Sequence, residues 1–420
     1  MSEMLTLSPD DRAMLDRLAQ GGDAVVRRAI GWCAINSGSR NLAGLEEMAE
    51  PLVGAMAEIG PVERVALADT QEVAADGAIR AVGTGDALRL RVRPDAPVQI
   101  VLTGHYDTVY PAETRFREVV TREDGALHGP GIADMKGGIS VMLAALAAVE
   151  AHPLADRVGY TALLSPDEET GSLASAPLLA ELGATGHVGL TYEPALADGT
   201  LVSSRKGSGN FHVRVTGRAA HAGRDFASGR NAVLAAARIA QALGALNGRR
   251  EGVTVNVARI DGGAPLNMVP DIAVLRFNAR LPDTAAEAWL MHGIEEALAE
   301  GRGDGIAVDL HGGITRKPKP FVPAQQTLFE KVREAGALIG QSLKWAPSGG
   351  VCEGNNLFAQ GLPGIDTLGV RGGDIHSERE YAWGESFAER AQLSALLLAK
   401  LAEGSIDGPA IRQSLRSAPA

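Results

Sequence analysis

The sequence predicts a two-domain α/β chain, and three observations carry that prediction. At 420 residues it is too long for one ordinary hydrophobic core. Apolar β-forming runs recur around Val98–Gly104, Gly159–Ser165 and Val188–Tyr192, and each is followed within a few residues by a His, Asp or Glu. From Gly207 to Pro318 the pattern changes to β-α-β-β-α-β, the order of a small sandwich of four strands with two helices on one face.

Composition narrows the class. Hydrophobic residues make up 45% and charged residues 22%, the balance of a soluble globular protein. A net charge of -11 argues against a nucleic-acid partner and against an anionic membrane surface. Two cysteines, Cys33 and Cys352, are too few for a disulfide framework and fit a reducing compartment. The opening MSEMLTLSPDD has neither a basic nor an apolar leader segment, and no run of about eighteen apolar residues occurs. The expectation is a cytoplasmic protein.

The first ninety residues read as helices feeding a sheet. Ser8-Pro9-Asp10-Asp11 caps a helix reaching to about Ala19, and Asp23–Ala34 continues the helical pattern. Ile35–Asn41 is a Ser/Gly/Asn turn, Leu42–Ile59 an amphipathic helix, and Val62–Ala68 and Ala87–Val92 are strands. No chemistry is assigned to this region.

The strand beginning at Val98 then stops at Gly104 and presents His105 and Asp107. Open α/β sheets bind ligands at the carboxyl ends of their strands. The His-x-Asp spacing lets a carboxylate hold the far nitrogen of an imidazole, as in zinc sites; a strand-end His can equally just satisfy a turn. Gly129–Leu146 places Asp134 between glycines, beside Lys136, at the start of an apolar helix. An Asp there ordinarily caps the helix, but flanking glycines allow close approach, and its two oxygens could serve two cations. The strand Gly159–Ser165 runs into Asp167-Glu168-Glu169, and the next ends at Glu193-Pro194. Adjacent acids are often a solvated turn. In a hydrolytic site one would bind metal while its neighbour acts as general base toward water.

GHYDTV, GPGIADMKGG, SPDEETGS, YEP and GGDIHSEREY together resemble, in order and spacing, the zinc-dependent exopeptidase and aminoacylase family (peptidase family M-20). That family includes glutamate carboxypeptidase, acetylornithine deacetylase and succinyl-diaminopimelate desuccinylase. The resemblance implies a zinc-exopeptidase-like catalytic domain, a mixed sheet flanked by helices, made of residues 1–206 and 319–420. Residues 207–318 would be an inserted ferredoxin-like lid and dimerisation domain. It also implies two Zn²⁺ per subunit, with Asp134 bridging, His105 and Glu193 completing one site, and Glu169 and His376 the other. Glu168 would be general base and acid, and Asp107 would orient His105. Oxygen and imidazole donors without thiolate suit zinc, and Co²⁺ or Mn²⁺ fit the same set.

Three insertion residues are drawn in by the same resemblance. His221 would come from a partner subunit to polarise the scissile carbonyl, while Asn267 and Arg280 would bind substrate. An imidazole can stabilise an oxyanion, and the guanidinium fork suits a carboxylate. The Gly-rich turn Ser348–Asn356, with Gly349 and Gly350, would lie beside the substrate's free carboxylate and offer N–H donors. Cys352 there has no base paired with it and reads as a packed residue, and Glu353 as a supporting one. Ile365–Val370 is the last expected strand, Gly384–Leu401 the closing helix, and the tail after Gly404 is expected to be loosely ordered.

The expected activity is hydrolysis of an N-acyl amino acid or short peptide with a free carboxylate, by a homodimer. A deacylase of the acetylornithine or desuccinylase type is the alternative. A non-catalytic binding protein of the same fold would lack a ligand or Glu168, and a phosphoesterase would show a phosphate cradle; neither sign is present.

Overall fold

A computed structural model describes residues 4–417. Its central sheet has six strands in the order Val62–Val65, Ala87–Val92, Val158–Ser165, Val98–His105, Val188–Thr191, Gly364–Ile365. The first three pair antiparallel, and the last four, from Val158–Ser165 onward, run parallel, so the sheet is mixed. Val98–His105 lies in the middle with both faces covered, which explains its unbroken apolar run. Ile100 and Leu102 face the helices Pro9–Cys33, Lys136–Glu150 and Ser386–Glu403, and belong to the main core. Val101 faces the other way, with Leu163, Leu179 and Leu357 under the helices Ala176–Thr185 and Glu353–Ala359.

A second sheet of four antiparallel strands has the order Thr254–Gly262, Ile272–Leu281, Gly207–Thr216, Ala307–Arg316. With the helices Ala232–Gly244 and Ala285–Ala299 it encloses a separate core in which Phe211 and Phe277 stack at 4.9 Å. The two chain crossings between the sheets are tied together. Arg205 and Lys319 exchange backbone hydrogen bonds of 2.9 Å in each direction, and both side chains reach the buried Asp366. Asn355 Nδ2 donates to the carbonyls of Lys206 and Lys317, at 3.0 and 2.7 Å.

Several local expectations shift. The two N-terminal helical segments are one helix, Pro9–Cys33, opened by a capping box between Ser8 and Asp11. A hairpin of Thr70–Val73 with Ile79–Val82 was not anticipated. The last strand is only Gly364–Ile365, because Asp366 turns to the chain crossings and Thr367 Oγ1 accepts from Val202 N. The tail expected to be loose contains the helix Gly408–Arg416, capped by Asp407. It is held by Arg412, which donates to the carbonyls of Gly183, Ala184 and Gly186. The last three residues of that tail lie outside the described range. Among the described residues no helix is long and apolar enough to cross a membrane.

Candidate metal and active site

Three parallel strands deliver their carboxyl ends to one crevice. His105 ends the central strand, Glu168 and Glu169 follow Val158–Ser165, and Glu193 follows Val188–Thr191. Asp134 enters from the turn before the helix Lys136–Glu150. It does not cap that helix, whose N-cap position is Met135 with no side-chain bond; its carboxylate faces the crevice instead. The Asp134–Met135 peptide is cis. Gly138 lets the helix press against the Glu193 strand: a Cβ there would sit 2.0 Å from the Tyr192 carbonyl oxygen.

Two ligand groups result. Asp134 Oδ1 lies 3.1 Å from His105 Nε2, and Glu193 Oε1 lies 3.8 Å from the same nitrogen. Asp134 Oδ2 lies 3.2 Å from His376 Nε2, which is 3.1 Å from Glu169 Oε2. Within each group, His105–Asp134–Glu193 and Asp134–Glu169–His376, the donor atoms lie within 4.8 Å of one another. Asp134 thus gives one oxygen to each.

The electrostatics show what such crowding costs. Burial, reinforced by Asp134, raises the Glu193 carboxyl well above its usual range and pushes Glu169 up to about 8. Hydrogen bonds donated to Asp134 and Glu169 push His376 up to about 11. Burial works against a charged His105, but Asp107 and Asp134 outweigh it and raise that imidazole well above its ordinary value. Asp134 is lowered because its bonds to both imidazoles overcome its burial. Three buried carboxylates held this close favour a cation between them. The oxygen and imidazole donor set, with no cysteine in it, fits zinc or a similar divalent ion.

The surrounding residues fix these groups. His105 Nδ1 is 3.0 Å from the Asp107 carbonyl and 3.3 Å from its Oδ1, which leaves Nε2 toward the crevice. The Asp107 carboxylate also accepts the backbone N–H of Glu168 and Glu169, at 3.1 and 3.2 Å, and the Ser39 hydroxyl at 2.6 Å. It therefore places the acidic turn as well as the imidazole. Glu168 is buried, and Arg316 Nη2 lies 2.8 Å from its Oε1 while donating to its carbonyl at 3.1 Å and to Ser172 Oγ at 2.7 Å.

These side chains open on a cavity of about 340 Å³ between the two sheets, lined by Glu168, Glu193, His376, Arg205, Arg280 and Arg316 among others. Of the insertion residues expected here, Arg280 is present, its Nη1 buried without a partner and its Nε on Asn278 Oδ1. His221 and Asn267 do not line this cavity. They sit together at the far end of the insertion, where Ala220–His221 pairs with Met268–Val269, amid the exposed Phe226 and Leu266. Gly350 lines the cavity, but its N–H donates to Ser348 Oγ at 3.1 Å, and Gly349 does not line it. Of the two glycines expected to offer N–H donors there, Gly350 is thus already engaged within its own turn.

Lys136, read as charge beside Asp134, turns away: its buried ammonium donates to the carbonyls of Trp32 and Ile35. Cys352 is buried with its thiol pushed up by desolvation, and its Sγ accepts from Gly354 N, so it is a cap and no nucleophile. Sequence reasoning passed over Ser39 and Arg316. The first stands in the INSGSRN turn and the second two residues before Pro318, and neither position carried a chemical signal beyond residue type.

The profile of peptidase family M20/M25/M40 matches residues 101–400. The chain belongs to that family. It is 26% identical over 328 residues to carboxypeptidase G2 of Pseudomonas sp. (strain RS-16), covering 76% of this chain and 78% of that protein. It is 28% identical over 316 residues to succinyl-diaminopimelate desuccinylase 2 of Shewanella loihica, covering 68% and 80%. Among solved structures it resembles an M20 family metallo-carboxypeptidase from Sulfolobus solfataricus, with TM-score 0.68, 13% identity and coverage of 89% and 98%. The aminopeptidase PepT of Bacillus cereus gives 0.66, 21%, 91% and 99%. The fold expected from the motifs is the fold of this family, and the chain is a member of a family of metal-dependent hydrolases.

Proposed function

We propose that this M20 protein hydrolyses the amide bond of N-acyl amino acids or short peptides bearing a free carboxylate, in the manner of a glutamate carboxypeptidase. The observation that carries the reading is Asp134, set between two ligand groups with Glu168 beside them and Arg280 facing from the insertion. Two zinc ions would be held by His105, Asp134 and Glu193, and by Asp134, Glu169 and His376; Co²⁺ or Mn²⁺ would suit the same donors. Such ions polarise a carbonyl and make water acidic enough to give up a proton near neutral pH.

Glu168 takes that proton and passes it to the leaving amine. Its backbone is fixed by Asp107 and its side chain by Arg316, so the carboxylate is already directed. Arg280 has an unpartnered, buried Nη1, a donor ready for a substrate carboxylate. His221 lies too far out to act in its own subunit's cavity. It would serve a neighbouring one, with Asn267, in a homodimer formed through residues 207–318, the inserted lid; residues 1–206 and 319–420 form the catalytic domain. Two buried free cysteines agree with a cytoplasmic setting.

A deacylase acting on a succinylated or acetylated diamino acid is the second reading, supported by the desuccinylase relatives. The two separate on release of free amine from a matched set of N-acyl amino acids, with the acyl group constant and Glu, Asp, Ala, Leu, Phe or ornithine as the other half. Preference for Glu or Asp supports the first reading and preference for ornithine the second. No release from any member with zinc present would sink both.

A further inference from the structure

The two ligand groups are supported differently. His105 and Glu193 stand at or just beyond the ends of buried parallel strands, where the sheet itself fixes them. His376 has no such base. It sits in the loop between the short strands Gly372–Gly373 and Tyr381–Trp383, its side chain is 53% exposed, and both it and Asp374 have left-handed backbones with φ of 60° and 52°. Non-glycine residues persist there only when the surroundings hold them.

What holds this loop is a buried carboxylate. Glu380, four residues beyond His376, is fully buried and accepts four hydrogen bonds. Oε1 takes the backbone N–H of Ala133 and Asp134, at 2.9 and 3.0 Å, and Oε2 takes the N–H of Gly131 at 3.1 Å and the Tyr110 hydroxyl at 2.7 Å. The same hydroxyl lies 2.8 Å from the carbonyl of Ser377, next to His376. Around this centre, Gly129 N donates to the Glu380 carbonyl, and His128 Nε2 lies 2.8 Å from that of Glu378. The loop carrying His376 and the turn carrying Asp134 are thereby joined, and Tyr110, from the segment after Asp107, locks the join.

We infer that Glu380 and Tyr110 are positioning residues of the second metal group, setting His376 against Asp134 so that one ion fits between them. The inference rests on the two-ion reading above. Glu380 acts on the Asp134 backbone and so bears on both groups. Tyr110 touches the His376 loop directly, at Glu380 and the Ser377 carbonyl, and reaches the Asp134 turn only through Glu380; removing its hydroxyl takes away a single oxygen.

The test is equilibrium dialysis of metal-stripped protein against Zn²⁺, with thermal melting of the metal-free form alongside. Wild type is expected to hold two ions. Tyr110→Phe is expected to keep the affinity of the first and weaken the second about 10- to 100-fold, with little change in melting. Glu380→Gln, whose amide group cannot accept on both atoms, is expected to weaken the second at least as much and the first as well. Two unchanged affinities in Tyr110→Phe would overturn the inference while leaving the two-ion reading intact. So would an equal loss at both sites accompanied by a lower melting temperature. A wild type that binds one ion would overturn the two-ion reading and this inference with it.

Discussion

Asp134, Glu168 and Glu193 form the floor of the cavity, with His105 buried against Asp134 beneath them, and all four are no more than 9% exposed, each standing on or within three residues of a strand or helix of the central sheet layer. Arg280 and Arg316 form its roof and come from strands of the second sheet, joined to the floor by only two chain crossings. The floor is acidic and carries the proposed ions and base. The roof is basic and faces them across open space. On the proposed reading, chemistry and recognition would be built on separate cores, and a change in one need not disturb the other. The contact that breaks this division is Arg316, a roof residue that grips Glu168. Glu168, the proposed base, is placed from both sides.

The sharpest way to break the comparison is to remove a floor residue and see whether binding and turnover separate. Glu168→Ala is expected to retain metal and lose turnover by roughly 10²- to 10⁴-fold, the usual contribution of a positioned base. Asp134→Ala, which takes one oxygen from each ligand group, is expected to lose the metals as well. Metal content and kcat of the two variants, measured side by side, check this. Near-normal turnover in Glu168→Ala would mean that another group moves the proton.

The roof makes a different claim, because part of it would belong to a neighbouring subunit. His221→Ala and Glu168→Ala are each expected to be nearly inactive alone. If His221 acts across a dimer, subunits of the two variants, dissociated and reassociated together, form mixed dimers with one intact site. Random pairing then restores roughly a quarter of wild-type activity. Activity that stays at the level of the single variants would count against a contribution from the partner.

Much of the floor was legible because its signals are local. A strand that stops at glycine before His105, paired acids at Glu168-Glu169 and a proline after Glu193 each state where the chain turns and what it presents. The roof was less legible, since its geometry depends on how two cores meet. Arg280 was found only by resemblance, and Arg316 had nothing in its neighbourhood to mark it. Lys136 misled because sequence adjacency to Asp134 says nothing about direction: at the first turn of a helix, successive residues point to different sides. Asp107 was given one task and has two, because the N–H groups of Glu168 and Glu169 reach it from sixty-one and sixty-two positions away in the chain.

The smallest expected effect concerns Glu353, a fully buried carboxyl behind the floor. Ser165 Oγ donates to its Oε1, and Oε2 has no partner. Burial raises it from 4.5 to about 8. Between those values the folded chain holds a proton that the unfolded chain has released, so the metal-free protein loses stability as pH rises from 4.5 toward 8. Glu353→Gln keeps an acceptor for Ser165 and cannot ionise. Its unfolding free energy, from denaturant titration, should therefore match wild type near pH 5 and exceed it at pH 8, by about 1–3 kcal/mol, the usual cost of an uncompensated buried polar group. A variant that follows the wild-type pH slope would show that Glu353 is not among the groups, such as Glu169 and Glu193, whose titration sets that slope. If it is, the acid is kept for its place behind the floor at a cost in stability, just as Arg316 is kept buried against the Glu168 carboxylate.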